Sequence, residues 1–179
     1  GASYYAALAA DAGPLHGLNS HFVIVDEVHA LPNRELVDVL ATSTANKSQP
    51  IMWFITTADY DRESICNEKY EYACQVRDGI IEDKAFLPVI YEAQRDDDWH
   101  DPATWRKANP NLGVSISEDY FRREAKRADD QPSYTNTFLR LHLNIRTTND
   151  QKFFDMPKWD ACSGAVDIDS LTGRQCYLG

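Results

Sequence analysis

Phe22-Val23-Ile24-Val25-Asp26-Glu27-Val28-His29 decides how the rest of the chain is read, because four apolar residues run without interruption into two carboxylates. Two valines, an isoleucine and a phenylalanine in one run suit a strand buried on both faces, the usual condition in a parallel sheet. Parallel sheets place their chemistry at the carboxyl ends of the strands, where Asp26 and Glu27 are expected to emerge. In nucleotide-hydrolysing proteins of the P-loop class the first such carboxylate holds magnesium through its water shell, magnesium being a hard cation that takes oxygen ligands. The second, when acidic, polarises the attacking water. The plainer alternative is a strand that ends and two solvated acids that open a loop, since motifs this short also arise by chance.

Outward from this stretch the pattern is strand, helix, strand. Pro32 stands where a first helical turn tolerates proline, and Leu36, Val39, Leu40 and Ser43 recur at helical spacing, which predicts a helix over roughly residues 33–45. Ile51-Met52-Trp53-Phe54-Ile55, bounded by Pro50 and Thr56-Thr57, predicts a second buried parallel strand and so a βαβ unit. Upstream, the turn-forming residues of Ala10-Asp11-Ala12-Gly13-Pro14 and Gly17-Leu18-Asn19-Ser20 predict a loop after a short strand at 3–8. Downstream, Ile65, Lys69, Tyr72, Ala73 and Val76 keep a helical period that Gly79 should end. Ala85-Phe86-Leu87-Pro88-Val89-Ile90-Tyr91 reads as a third strand, at an edge because of Pro88.

Composition then shifts. Glu92, Asp96, Asp97, Asp98 and Asp101 form an acidic stretch before Pro102 and Asn109-Pro110-Asn111, and a boundary is placed near Asp96. Helices are expected at 102–107, 117–128 and 132–143. The middle one has Ser117 as its cap, Glu118 and Asp119 in its first turn, and Lys126 and Arg127 in its last, an order that complements the helix dipole. Its Arg122-Arg123-Glu124-Ala125-Lys126-Arg127 is the densest basic patch, read either as a phosphate-contacting surface or as a solvated helix face.

The 179 residues suffice for one core, or for one core and an appendage. An apolar share of 43% with 11% aromatics marks a globular chain, and no apolar run approaches the roughly 18 residues that span a membrane. A net charge of -10 argues against a surface that clamps nucleic acid all over, though not against local basic patches. Cysteines 66, 74, 162 and 176 form no Cys-x-x-Cys pair, so reduced thiols are expected, without a zinc ribbon or a disulfide framework. The opening Gly1-Ala2-Ser3-Tyr4-Tyr5 and closing Gln175-Cys176-Tyr177-Leu178-Gly179 read as the ends of an excised fragment.

Several polar residues can act together at the strand ends. Thr56-Thr57-Ala58 follows the second strand, and a hydroxyl there can bond the catalytic carboxylate or a water near a terminal phosphate and so report its presence. Arg34, just beyond the carboxylates, is a candidate for contacting phosphate or a neighbouring subunit; a surface arginine at a helix start is the alternative. His29 is read as a structural or coupling histidine rather than a general base, Glu27 being better placed. Ser43 and Ser64 lack a basic partner at a recognisable spacing, which argues against serine nucleophilic chemistry.

Taken in order, Gly17-Leu18-Asn19, Val23-Ile24-Val25-Asp26-Glu27-Val28-His29-Ala30, Pro32-Asn33-Arg34-Glu35-Leu36 and Ile55-Thr56-Thr57-Ala58 with Arg62-Glu63-Ser64 resemble the large terminase subunit of tailed bacteriophages. Trp105-Arg106-Lys107-Ala108-Asn109-Pro110-Asn111-Leu112-Gly113, Phe138-Leu139-Arg140-Leu141-His142-Leu143-Asn144 and Trp159-Asp160 resemble the segment joining that family's packaging ATPase to its nuclease. The resemblance covers nearly the whole chain. It implies an α/β fold: a partial P-loop parallel sheet of the additional-strand, catalytic-glutamate kind, followed by a small helical linker subdomain. Residues 1–95 would be the C-terminal part of the ATPase domain, 96–152 the helical linker, and 153–179 the lead-in to an RNase H-like nuclease.

By position Asp26 matches the magnesium-site aspartate, Glu27 the catalytic glutamate, and Thr56 and Thr57 the coupling motif, with ATP and Mg2+ as cofactors. The implied partners are double-stranded DNA, the portal protein, the small terminase subunit and further copies in a homo-oligomeric ring, without a membrane, in the host bacterial cytoplasm at the procapsid portal. The sequence departs from the family in having no Gly-x-x-x-x-Gly-Lys-Ser/Thr loop before Asp26, no arginine before Arg34, and no nuclease carboxylates, Cys176-Tyr177-Leu178-Gly179 resembling the strand that leads to the first of them. The alternatives are a fragment of a superfamily-2 DExH helicase, since Asp26-Glu27-Val28-His29 also fits that box, and a non-catalytic interaction module on a degenerate nucleotide-binding fold.

Overall fold

In the computed structural model the residues described are 3–9, 13–148, 156–162, 164 and 173. Strands β1 (Phe22–Asp26) and β2 (Ile51–Ile55) pair in parallel, with Phe22 opposite Ile51 and Asp26 opposite Ile55. Helix α1 (Glu35–Ser43) lies between them in sequence, completing the expected βαβ order. It begins later than its apolar spacing predicts because the Asn33 side chain accepts the Glu35 N–H and holds the chain in a turn. Leu36, Val37, Val39 and Leu40 of α1 form a core with Val23, Val25, Val28, Leu31, Ile65 and Cys66.

Burial on both faces of the sheet does not occur. Val23 and Val25 point into the core and Met52 and Phe54 pack against it, whereas Phe22, Ile24, Ile51, Trp53 and Ile55 are exposed on the other face. The alternation is the period-two geometry of a strand with one covered face. Phe22 and Trp53 meet edge to face across the exposed side, 5.5 Å apart.

Nor do two of the expected strands form. Residues 3–9 have no regular structure and are exposed. Residues 85–91 likewise join no ladder: Pro88 has no N–H to give, Leu87 and Val89 face outward, and the Tyr91 carbonyl accepts instead from the Asn144 side chain.

Helix α2 (Ile65–Arg77) starts at Ser64, whose hydroxyl accepts the Asn67 N–H, and stops before Gly79, where a φ of +73° makes a left-handed turn available. Helices α3 (Pro102–Ala108), α4 (Glu118–Asp130) and α5 (Pro132–Leu143) follow, with Asp101 and Ser117 capping the first two. They close a second core around Trp105, Phe121, Phe138 and Leu143, each at most 2% exposed. Fully burying one such side chain is worth about 1.5–3 kcal/mol, and none of the four belongs to the sheet. The basic patch on α4 is largely answered by its own helix: Arg122 pairs with Glu118, Arg127 with Glu124 and Lys126 with Asp130.

A seam joins the two cores. Tyr60 and Thr147 form an isolated parallel bridge, and the Asp61 N–H donates to the Thr147 carbonyl at 2.8 Å. Arg140, buried on α5, donates from Nη1 to the Ala58 carbonyl at 3.3 Å and lies 4.3 Å from the centre of the Tyr60 ring. Helix α6 (Met156–Ala161) falls in the expected nuclease lead-in, while the strand expected at 176–179 lies outside the described residues. Cys66, Cys74 and Cys162 are free thiols, and Cys176 is outside the described residues.

Candidate functional site

Strand β1 delivers Asp26 as its last residue and Glu27 immediately beyond. The Glu27 N–H donates to Asp26 Oδ1 at 2.9 Å. Glu27 itself has φ 53° and ψ 48°, the left-handed region, which costs a residue with a Cβ about 1–3 kcal/mol and collects at functional sites. Its carboxylate is 61% exposed on one side and has Oε2 3.2 Å from His29 Nδ1 on the other.

Strand β2 ends in register with β1, so Thr56 and Thr57 emerge beside the carboxylates. Thr56 Oγ1 accepts the His29 N–H at 3.0 Å, lies 3.1 Å from His29 Nδ1 and donates to the Thr57 carbonyl at 2.8 Å. Thr57 Oγ1 is 3.4 Å from the same Nδ1. Cys66 Sγ is 3.7 Å from Thr56 Oγ1, and burial pushes its thiol pKa up, leaving it a poor nucleophile.

Residues to which the sequence assigned no role brace this arrangement. Arg62 Nη2 donates to the His29 carbonyl at 3.2 Å and pairs at 3.1 Å with Asp59, which is 2% exposed. Burial pushes the Asp59 carboxyl up, but hydrogen bonds from Ser64, the Tyr60 N–H and Arg62, together with the Arg62 charge, outweigh it and hold the group below the usual carboxylate range. The spacing Asp59, Arg62, Ser64 was available as a signal, because an acid and a base three apart just ahead of a serine cap form a self-bracing turn. Arg140 announced itself only as a cation on the apolar side of a helix.

The structure thus brings Asp26, Glu27, Thr56 and Thr57 to one end of the sheet and draws His29 among them. Arg34 is held elsewhere: it is exposed at the start of α1 and bound to Asp38 at 2.9 Å and Glu68 at 3.2 Å. Among the described residues no group of His, Cys, Asp or Glu side chains converges as a metal cage. A single carboxylate at a strand end, one oxygen of which takes a backbone N–H, has the donor set of a magnesium ion whose remaining ligands are waters and phosphates. Asp26 fits that group; a protein-only site does not. Beside the threonines a cavity of about 200 Å³ opens between β2, α2 and residues 86–92, with Lys69, Tyr70 and Arg146 in its wall.

Paired acids at the end of one parallel strand, with hydroxyls at the end of the next, gather the polar groups of this α/β protein at the carboxyl ends of its strands, where such folds place their sites. The family models agree with that architecture: the ATPase domain of the terminase large subunit matches residues 2–75, and its endonuclease domain matches residues 80–179. The chain belongs to the terminase large subunit family. It is 31% identical over 163 residues to "Protein YmfN" of Escherichia coli (strain K12), covering 90% of this chain and 36% of that protein. To "Terminase, large subunit" of Enterobacteria phage HK97 it is 30% identical over 177 residues, 98% of this chain and 34% of that one. The crystal structure of the HK97 bacteriophage large terminase superposes with a TM-score of 0.65 at 27% identity, over 82% of this chain and 30% of that one. The chain therefore spans about a third of the length of the curated relatives it matches. Family membership replaces the helicase alternative.

Proposed function

We propose that this chain carries the carboxylate half of the ATP site of a viral DNA-packaging motor, in which hydrolysis drives double-stranded DNA into a procapsid. The observation that supports it best is the register of β1 and β2, which sets Asp26 and Glu27 beside Thr56 and Thr57 in a member of the terminase large subunit family. In this reading Asp26 holds Mg2+ through water, and the ion, when bound with ATP, neutralises charge on the transferring phosphoryl group. Glu27 orients the attacking water and takes its proton. Thr56 and Thr57 sense whether the terminal phosphate is present. Arg34 contacts phosphate or a neighbouring subunit only if it leaves Asp38 and Glu68.

The same reading divides the chain into the ATPase part at 1–95, a helical linker at 96–152 and a nuclease lead-in at 153–179. Two separate apolar cores, one reaching Cys66 and the other starting at Ala93, support a division of the chain between them, with Ala93 packed on the helical side. Because the endonuclease family model reaches back to residue 80, the helical unit is taken as the first part of what that model covers. Portal protein, small terminase subunit and further copies in a ring are the partners proposed, in the cytoplasm of a host bacterium. No helix among the described residues is long and apolar enough to cross a membrane.

Glu27→Gln is the direct test, in a polypeptide that joins this chain to a phosphate loop. ATP affinity should be nearly unchanged while turnover falls by roughly 10²–10⁴-fold, the usual worth of a general base. Asp26→Ala should instead weaken magnesium-dependent nucleotide binding. Wild-type turnover in the first variant, or unchanged magnesium dependence in the second, refutes the assignment of that residue.

A further inference from the structure

We propose that His29 positions Glu27, acting as a single N–H donor shared between that carboxylate and Thr56. The proposal rests on the reading of Glu27 as the water-orienting base and goes beyond it by naming what holds the base in place.

Three oxygens surround one ring nitrogen: those of Thr56, Glu27 and Thr57 lie 3.1, 3.2 and 3.4 Å from His29 Nδ1. Thr56 Oγ1 gives its own hydrogen to the Thr57 carbonyl at 2.8 Å and already accepts the His29 backbone N–H at 3.0 Å. With its hydrogen on that carbonyl, Thr56 Oγ1 accepts from His29 Nδ1, 3.1 Å away. Glu27 Oε2, 3.2 Å from the same nitrogen, is a carboxylate oxygen and also accepts. A hydrogen on Nδ1 is the tautomer that suits both of these oxygens, and with it Thr57 Oγ1 accepts rather than donates. Thr57 Oγ1, at 3.4 Å, can approach as a weaker third partner.

One hydrogen divided between two acceptors makes a two-position device. With the Glu27 carboxylate against His29 the bond is split. When the carboxylate swings toward a water at the reacting centre, the whole bond passes to Thr56, and the threonine that reports phosphate is tightened as the base is released. Two fixed points keep the ring from following Glu27 outward: Arg62 Nη2 holds the His29 carbonyl, and the left-handed backbone at Glu27 fixes the turn between them. His29 thus acts through Glu27 and Thr56 and never touches the reacting atoms.

The test has a spectroscopic arm and a kinetic arm. In nitrogen-15 imidazole spectra of the 179-residue chain, His29 should show a protonated Nδ1. Glu27→Gln and Thr56→Val should each shift that resonance, and a ring protonated on Nε2 alone overturns the proposal. In a polypeptide that joins the chain to a phosphate loop, His29→Ala should lower kcat for ATP by roughly 10²-fold, the scale of a misplaced catalytic group, with KM little changed. His29→Asn, whose amide can donate from near the Nδ1 position, should restore much of the loss. Equal damage in both variants, or a loss confined to KM, overturns the positioning role. Full turnover in Glu27→Gln with the resonance still shifted sinks the reading of Glu27. An unshifted resonance beside an inactive Glu27→Gln sinks the His29 proposal alone.

Discussion

Replacing Arg140 with alanine should open the seam between the two cores. Its guanidinium gives a charged hydrogen bond to the Ala58 carbonyl, worth about 1.5–3 kcal/mol. It also lies 4.3 Å from the Tyr60 ring, and a largely desolvated contact of that kind adds about 1–2 kcal/mol. Against these stands the desolvation of a charge only 9% exposed, whose Nε has no partner among the described residues. The net loss should be about 2–3 kcal/mol. Arg140→Met keeps the apolar stem and removes the buried charge along with its bonds, so it should lose only about half as much. Urea unfolding followed by tryptophan fluorescence gives the global figure. Hydrogen exchange at Asp61, whose N–H reaches across to Thr147, gives the local one and should speed up in the alanine variant. Unchanged exchange at Asp61, with a global loss below about 0.5 kcal/mol, the level of an ordinary surface substitution, would refute this account of the seam.

Thr56→Val with Thr57→Val keeps shape while removing the hydroxyls, so DNA translocation by a motor carrying these changes should fall further than ATP affinity; equal losses in packaging rate and binding would mean structural damage instead. Stability should also depend on His100. Its pKa is raised above the ordinary value of 6.5, first by the hydrogen bond to Asp129 and then by Asp98, despite some burial. A raised histidine pKa stabilises fully below the unfolded value, and the gain is lost as pH rises through the folded value. The Tm gap between wild type and His100→Asn should accordingly be widest below about pH 6.5 and narrow above it. Thermal melts across that range decide the point, and a gap independent of pH would remove His100 from it. His142 works in the opposite sense, since burial lowers its pKa, and the comparison with wild type cancels its effect.

What the sequence could show of this fold follows from how locally each element is determined. Helices α2 to α4 carry their own caps, with Ser64, Asp101 and Ser117 accepting the backbone N–H groups their positions imply, and α5 starts at Pro132 without a side-chain cap. The two strands were equally legible, as apolar runs of strand length. Their exposed face was not, because an unbroken apolar run carries no alternation to say which side is covered. Residues 85–91 have strand composition yet pair with nothing, since a ladder requires a partner with free backbone groups in register. At the candidate site, the residue types and order at 26, 27, 56 and 57 pointed to one end of a sheet. The links made by His29 and Arg62 depend on φ at Glu27 and on a turn at Asp59, neither of which a residue list specifies.

The seam also sets an order of events in time. Ala58 and Arg140 stand 82 positions apart, against 27 for His29 and Thr56. Closing loops of those lengths costs about 4 and about 3 kcal/mol respectively, before any contact offsets it. The sheet unit and the helical unit can each condense from nearer neighbours, so the latch between them forms last. During synthesis at roughly 5–20 residues per second, Ala58 waits on the order of 4–16 s for Arg140 to be made. Through that interval the carboxyl end of the sheet is already shaped but lacks the Arg140 contact, which makes residues 56–62 the stretch where a chaperone or a protease would meet the nascent protein.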